Sequence, residues 1–122
     1  MTFHDECKVH ICLMPNSPLM SKLVRDGIPD IIRQSGREPV VSRLSEDELR
    51  NALKEKLVEE ACELKAADDI YEELADVQEV MDAMIVQFGI DRQKLENVKS
   101  EKNRRVGGFL KGYYLHDDKH KV

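Results

Sequence analysis

The chain has 122 residues, the usual length of a single domain, and hydrophobic residues make up 41% of it, which is enough for one ordinary core. Its aromatic residues are three Tyr and three Phe, so the core must be aliphatic, which favours packed helices over a β-sandwich. The net charge of −5 argues against a nucleic-acid partner, and the lack of a signal segment or of an apolar run of about 18 residues argues against a membrane partner. We therefore expect an all-α fold in the cytoplasm.

The two ends of the chain are predicted to be tails. Residues 1–20 show no steady hydrophobic period, so we expect a loosely ordered N-terminal tail, a domain at residues 21–115 and a C-terminal tail at residues 116–122. Three candidate zinc ligands lie in the first tail: Cys7, His10 and Cys12. No second ligand pair follows at zinc-finger spacing, which argues against zinc, and the odd number of cysteines fits a reducing compartment.

The first two helices are predicted from capping and periodicity. Ser21 can cap a first helix that ends near Gly36. Its apolar positions are Leu23, Val24, Ile28, Ile31 and Ile32. Ser45 and Glu48 form a capping box, in which each side chain bonds the free backbone N–H of the other, so the second helix begins near Ser45 and runs to about Ala66.

Two further helices follow a short turn. Asp68 and Asp69 suit the start of a third helix, because carboxylates there complement its free N–H groups, and Gly89 suits its end. Its apolar residues recur at spacings of three and four: Ile70, Leu74, Val77, Met81, Met84, Ile85 and Phe88. Asp91 can cap a fourth helix that reaches about Arg105.

Negative charge is concentrated in the middle of the chain. The stretch Leu44–Asp82 contains 14 acidic and 4 basic residues, whereas Ser21–Arg43 and Asp91–Lys111 each have an excess of basic residues. Most of these acids are expected on solvated helix faces. Two of them are not, because the helical period turns them inward.

Glu60 and Glu73 are the two acids that fall inside apolar stripes. Glu60 lies in the middle of the leucine face of the second helix, with Glu63 near its edge, and Glu73 lies in the stripe of the third helix, with Asp76 on its flank. The leucines are Leu49, Leu53, Leu57 and Leu64. An unpaired carboxylate in such a stripe costs several kcal/mol, so it must be neutralised, paired or bound to a metal ion.

The four acids are placed symmetrically about Asp68. Glu63 and Glu73 are equally far from it along the chain, as are Glu60 and Asp76, so in a helical hairpin folded there all four can face one another. An all-oxygen cluster suits Mg²⁺ or Mn²⁺. A di-iron site would need histidines in the helices, and there are none. The competing interpretation is a buried salt bridge between Glu60 and Lys56.

Three strings resemble one enzyme family. KLVEEACEL at Lys56–Leu64, followed by EELADV at Glu72–Val77, resembles the acidic signature of the all-α nucleoside triphosphate pyrophosphohydrolases, which include MazG-like enzymes and phosphoribosyl-ATP pyrophosphohydrolase. SKLVRDGIPDII at Ser21–Ile32 and GGFLKGYYL at Gly107–Leu115 also look like the compact branch of this superfamily. The resemblance implies Mg²⁺-dependent hydrolysis between the α- and β-phosphates of a nucleotide, giving a monophosphate and pyrophosphate.

The resemblance also implies roles for single residues. Glu60, Glu63, Glu73 and Asp76 would hold Mg²⁺, with Glu59 as an accessory, and Glu60 or Glu63 would orient the attacking water or take its proton. Six basic residues would bind the polyphosphate. Two lie on the predicted first helix, one on the second and three on the fourth. They are Lys22, Arg25, Lys56, Lys99, Lys102 and Arg105.

Three functions and one assembly remain as expectations. The first function is housecleaning hydrolysis of a nucleoside triphosphate, the second is the phosphoribosyl-ATP step of histidine synthesis, and the third is a non-catalytic helical dimerisation module. Apolar residues on the outer sides of the hairpin, such as Val58, Ala83 and Val86, predict a homodimer or homotetramer that completes a four-helix arrangement.

Overall fold

The structure is a computed structural model that describes residues 21–116, and its regular elements in that range are all helical. They are α1 (Ile28–Gln34), α2 (Glu46–Ala66), α3 (Ile70–Gln87) and α4 (Arg92–Val106). No strand occurs in this range, so the all-α fold class is confirmed for it. The N-terminal tail with its candidate zinc ligands, and the C-terminal tail beyond its first residue, lie outside the described residues. None of the described helices combines the length and the apolarity that crossing a membrane requires.

The chain divides between Ile90 and Asp91 into two compact units. The first unit holds α1, α2 and α3. The second holds α4, whose N-cap Asp91 accepts hydrogen bonds from the backbone N–H groups of Gln93 and Lys94 at 2.9 and 3.2 Å. Every residue of α4 is exposed, so this helix buries no core of its own.

The first helix begins later than predicted, at Ile28 rather than at Ser21. Pro29 has no N–H to bond the carbonyl of Arg25, and its ring would clash with that carbonyl in a continuous helix. The Arg25 carbonyl instead accepts a hydrogen bond from the Ile28 N–H at 3.0 Å, which forms a turn. Lys22 therefore lies, like Arg25, on a non-helical segment, which we call the N-terminal segment (residues 21–27).

The hairpin of α2 and α3 is the main packed element of the first unit. The capping box is formed as predicted: the Ser45 hydroxyl accepts from the Glu48 N–H at 3.2 Å, and the Ser45 N–H donates to the Glu48 carboxylate at 3.0 Å. These bonds lower the pKa of Glu48. At the turn, Asp69 caps α3 by accepting from the N–H groups of Tyr71 and Glu72 at 3.1 and 3.4 Å.

The far end of the hairpin shows that the two helices are antiparallel. Arg50, in the first turns of α2, donates a hydrogen bond to the carbonyl of Gln87 at the end of α3, at 3.3 Å. The Lys54 ammonium lies 5.4 Å from the centre of the Phe88 ring, within the range of a cation–π contact. The start of α2 is therefore fastened to the end of α3.

The core between the two helices is small. Among the described apolar side chains, those of Leu53, Cys62 and Val80 are buried, and the side chain of Glu60 is buried with them. The apolar stripe predicted for α3 is only partly used, because Leu74 and others on it are more than 40% exposed. The hairpin therefore leaves much of its apolar surface in contact with solvent.

We expect Ser45→Ala to lower the free energy of unfolding by about 1 kcal/mol, because it removes one side of the capping box. Urea denaturation followed by circular dichroism measures this change. Ser42→Ala is the matched control, since Ser42 is exposed and lies outside the helices. Equal effects of the two substitutions would contradict a stabilising role for the cap.

Candidate metal centre

Three of the predicted carboxylates meet between the helices of the hairpin. The turn between α2 and α3 comprises residues 67–69 and is centred on Asp68, as the sequence predicted. Glu60 of α2 and Glu73 and Asp76 of α3 each place one carboxylate oxygen within 4.8 Å of those of the other two. Equal distance from the turn has thus brought side chains of the two helices to similar heights.

Several oxygens of this cluster are buried without a hydrogen-bond donor. Only 6% of Glu60 is exposed, and Glu73 and Asp76 are half-buried. Oε2 of Glu60, Oε2 of Glu73 and Oε1 of the neighbouring Glu59 are buried, and no hydrogen-bond partner reaches them from the described part of the chain. A buried acceptor without a partner is costly, so a cation or a proton beside these oxygens would be stabilising.

Lys56 partly compensates the buried charge of α2. Its ammonium lies 3.2 Å from Oε1 of Glu60 and 3.3 Å from Oε2 of Glu59. Burial alone would lower the pKa of Lys56, but the hydrogen bonds and charges of Glu60 and Glu59 together outweigh it and raise that pKa. The salt bridge considered as the alternative for Glu60 therefore forms, but it satisfies one of the two carboxylate oxygens and leaves the other unpaired.

The N-terminal segment supplies two further cations. Arg25 donates from Nη2 to Oδ1 of Asp76 at 2.6 Å, and its Nη1 lies 3.9 Å from Glu79. The hydrogen bond to Asp76, followed by the nearby negative charges, raises the pKa of Arg25 against the opposing effect of burial. Lys22 lies 3.9 Å from Oε1 of Glu59. Three of the six basic residues predicted to hold phosphate therefore pair with carboxylates in this structure: Lys22, Arg25 and Lys56.

Glu63 lies at the edge of the cluster rather than among the three converging oxygens. Desolvation, a hydrogen bond with Glu60 and the negative charges of Glu60, Glu59 and Glu73 raise the pKa of Glu63 to about 7, although its side chain is exposed on one side. Desolvation, then the charge of Asp76, then that of Glu60 raise the pKa of Glu73. Glu63 can therefore gain or lose a proton near neutral pH.

The remaining predicted residues lie apart in the chain. Lys99, Lys102 and Arg105 lie on α4 and are exposed, and their contact with phosphate stays a prediction. The sequence analysis missed two sets of ion pairs. Glu59 pairs with Lys22 and Lys56, and Arg25 pairs with Asp76. The second joins residues 51 positions apart, which no helical period relates.

Comparisons with known proteins leave the family open. No family model matches the chain, and no solved structure matches it. A protein of Mycolicibacterium smegmatis (strain ATCC 700084 / mc(2)155), described as uncharacterized, is 59% identical over 49 residues, which are 40% of this chain and 50% of the relative. The chain thus spans about half the length of the relative it matches.

We expect the metal-free protein to become less stable as the pH rises from about 5 to about 8. Folding raises the pKa of Glu63 from 4.5 to about 7, so the folded state binds this proton more tightly than the unfolded state does. That stabilisation is complete below the unfolded pKa and is lost as the pH rises through about 7.

Thermal denaturation over this pH range measures the effect in wild type and in two variants. Glu63→Gln cannot ionise, so its stability should fall less with rising pH. Glu55→Gln, at an exposed position of the same helix, should follow wild type. If the stability of Glu63→Gln and of wild type changed equally with pH, Glu63 would have the same pKa in the folded and unfolded states, contrary to this prediction.

Proposed function

We propose that Glu60, Glu73 and Asp76 bind a divalent cation, Mg²⁺ or alternatively Mn²⁺, with Glu63 at the edge of the site. The observation that carries this proposal is the convergence of three carboxylates, two of which have a buried oxygen without a donor from the described residues. In an octahedral Mg²⁺ site opposite ligand oxygens lie about 4.2 Å apart and neighbouring ones about 3 Å apart. Oxygens within 4.8 Å of one another would therefore have to approach by no more than about 2 Å to share one ion. Carboxylates alone favour such a hard cation over zinc or copper.

We propose further that the protein hydrolyses a nucleoside triphosphate between its α- and β-phosphates, releasing a nucleoside monophosphate and pyrophosphate. The resemblance of the acidic strings to the all-α pyrophosphohydrolases supports this reaction, and so does a carboxylate cluster flanked by Lys22, Arg25 and Lys56. When bound, Mg²⁺ supplies neutralisation of the negative charge on the phosphate oxygens.

The residues of the chain have separate roles in this reaction. Glu63, at the edge of the cluster, would take the proton of the attacking water, and Glu60 beside it would orient that water. The guanidinium and ammonium groups of the N-terminal segment and Lys56 bind phosphate oxygens. Lys99, Lys102 and Arg105 of α4 are proposed as further phosphate contacts.

We expect Glu60→Gln and Glu73→Gln to lower the rate of pyrophosphate release by at least about 100-fold, because each removes a charged oxygen from the cluster. Glu72→Gln is the matched control, since Glu72 neighbours Glu73 but is exposed, and it should retain the wild-type rate. The assay measures pyrophosphate from a panel of canonical and damaged nucleoside triphosphates and phosphoribosyl-ATP, with and without Mg²⁺.

The same panel separates the proposed function from its alternatives. Turnover of phosphoribosyl-ATP alone would replace the housecleaning function with the histidine-pathway step. No turnover on any nucleotide, together with folding that does not respond to Mg²⁺, would leave the non-catalytic dimerisation module and contradict the proposal.

We also propose that the protein is a homodimer or homotetramer. Ile70, Leu74 and Met81 recur at spacings of four and seven, so they share one face of α3, and they are 50%, 44% and 47% exposed. Of the three residues that first indicated an interface, Val86 is 70% exposed and the other two are half-buried. A second hairpin packed on this face would complete a four-helix arrangement.

We expect light scattering to give a mass of two or four times 14.1 kDa. Leu74→Glu should shift the protein towards the monomer, because it places a charge on the apolar face of α3. Ala75→Glu introduces the same side chain at the next, exposed position and should leave the mass unchanged. A stable wild-type monomer would contradict the proposed assembly.

A further inference from the structure

Arg25 binds one of the three carboxylates that form the candidate metal centre. Its Nη2 lies 2.6 Å from Oδ1 of Asp76, whose side chain is 29% exposed, against 8% for the side chain of Glu60. The guanidinium therefore neutralises part of the charge that a cation at Glu60, Glu73 and Asp76 would require.

We propose that Arg25 and the divalent cation compete for Asp76, so that binding of the cation releases Arg25 from Asp76. Without a cation, Arg25 fastens the N-terminal segment to α3. When a cation binds, Asp76 turns to it and the guanidinium becomes free to bind a phosphate oxygen of the substrate. This inference rests on the proposed metal site and adds an order of events to it.

The geometry of the N-terminal segment allows this exchange. Residues 21–25 lie outside any helix, and the side chain of Arg25 is 54% exposed. Arg25 also pairs with Glu79, at 3.9 Å, and the side chain of Glu79 is itself 62% exposed. Ion pairs with this much solvent contact contribute little to stability, so a divalent cation can displace the guanidinium at small cost.

A guanidinium is also suited to its second partner. Arg25 makes one short hydrogen bond to Asp76, whereas a phosphate group offers oxygens that match two parallel N–H donors. Lys22 lies three positions earlier on the same segment, 3.9 Å from Glu59, which is outside the group of three converging carboxylates. Displacement of Arg25 from Asp76 therefore does not require Lys22 to leave Glu59.

If Arg25 and the cation compete, removal of Arg25 should raise the affinity for the metal ion and lower the affinity for the nucleotide. Arg25→Gln should bind Mn²⁺ alone about three- to tenfold more tightly than wild type, because a competing ion pair and a nearby positive charge are both removed. With Mn²⁺ saturating, the same variant should bind a non-hydrolysable α,β-methylene nucleotide about tenfold more weakly, because a charged phosphate contact is lost.

The test is isothermal titration of the full chain at fixed ionic strength, first with Mn²⁺ alone and then with the nucleotide analogue at saturating Mn²⁺. Lys22→Gln removes the same charge from the same segment and should tighten Mn²⁺ binding less than twofold. Arg33→Gln controls for loss of an arginine elsewhere, since Arg33 pairs with Asp30 at 2.9 Å. Circular dichroism checks that each variant folds as wild type does.

The outcomes separate this inference from the proposed function. If wild type and Arg25→Gln bind Mn²⁺ equally tightly, the metal site stands and the competition is wrong. Equal tightening in Lys22→Gln and Arg25→Gln would replace competition with a general effect of charge. If neither wild type nor the variant binds Mn²⁺, both the metal site and the competition are wrong.

Discussion

The burial of the Glu60 carboxylate in an aliphatic hairpin is the constraint on which the rest of the first unit depends. A carboxylate that is 6% exposed must be neutralised, and Lys56 reaches only one of its oxygens. Glu73 carries a second buried oxygen without a donor from the described residues. Both helices therefore contribute a hydrogen-bond acceptor that lacks a donor. An added positive charge, whether a proton or a cation, would stabilise this arrangement beyond what Lys56 supplies.

The turn and the contacts at the far end of the hairpin fix the positions of the acidic side chains relative to one another. Asp69 begins α3 three residues after α2 ends, and the carbonyl of Gln87 holds Arg50 at the opposite end of the hairpin. With both ends fixed, neither helix can slide by a turn relative to the other, and the acids that are equally far from Asp68 stay at similar heights. The N-terminal segment then adds the two cations that spacing could not place.

Periodicity predicted most of the fold and the core of the site. The capping box at Ser45, the turn at Asp68 and the inward direction of Glu60 follow from contacts within four residues or from the helical repeat, and both are written in the sequence. The predicted start of α1 near Ser21 is wrong, because Pro29 lacks the N–H that a helix continuing from Ser21 would need, and α1 begins at Ile28. The pairing of Arg25 depends on where a non-helical segment crosses the hairpin, and local patterns do not determine that path.

The acidic side chains between the helices leave the hairpin with a small apolar core, which bears on both the proposed metal site and the proposed oligomer. Positions of α2 and α3 that face each other are the ones that would normally hold apolar side chains, and here Glu60, Glu73 and Asp76 take three of them. What remains buried is Leu53, Cys62 and Val80, a small core for two helices of this length. Acidic side chains at inward positions therefore weaken the hairpin that positions them. The proposed cation, which would bind only the folded cluster, and the proposed second copy on the exposed face of α3 would each offset part of this cost.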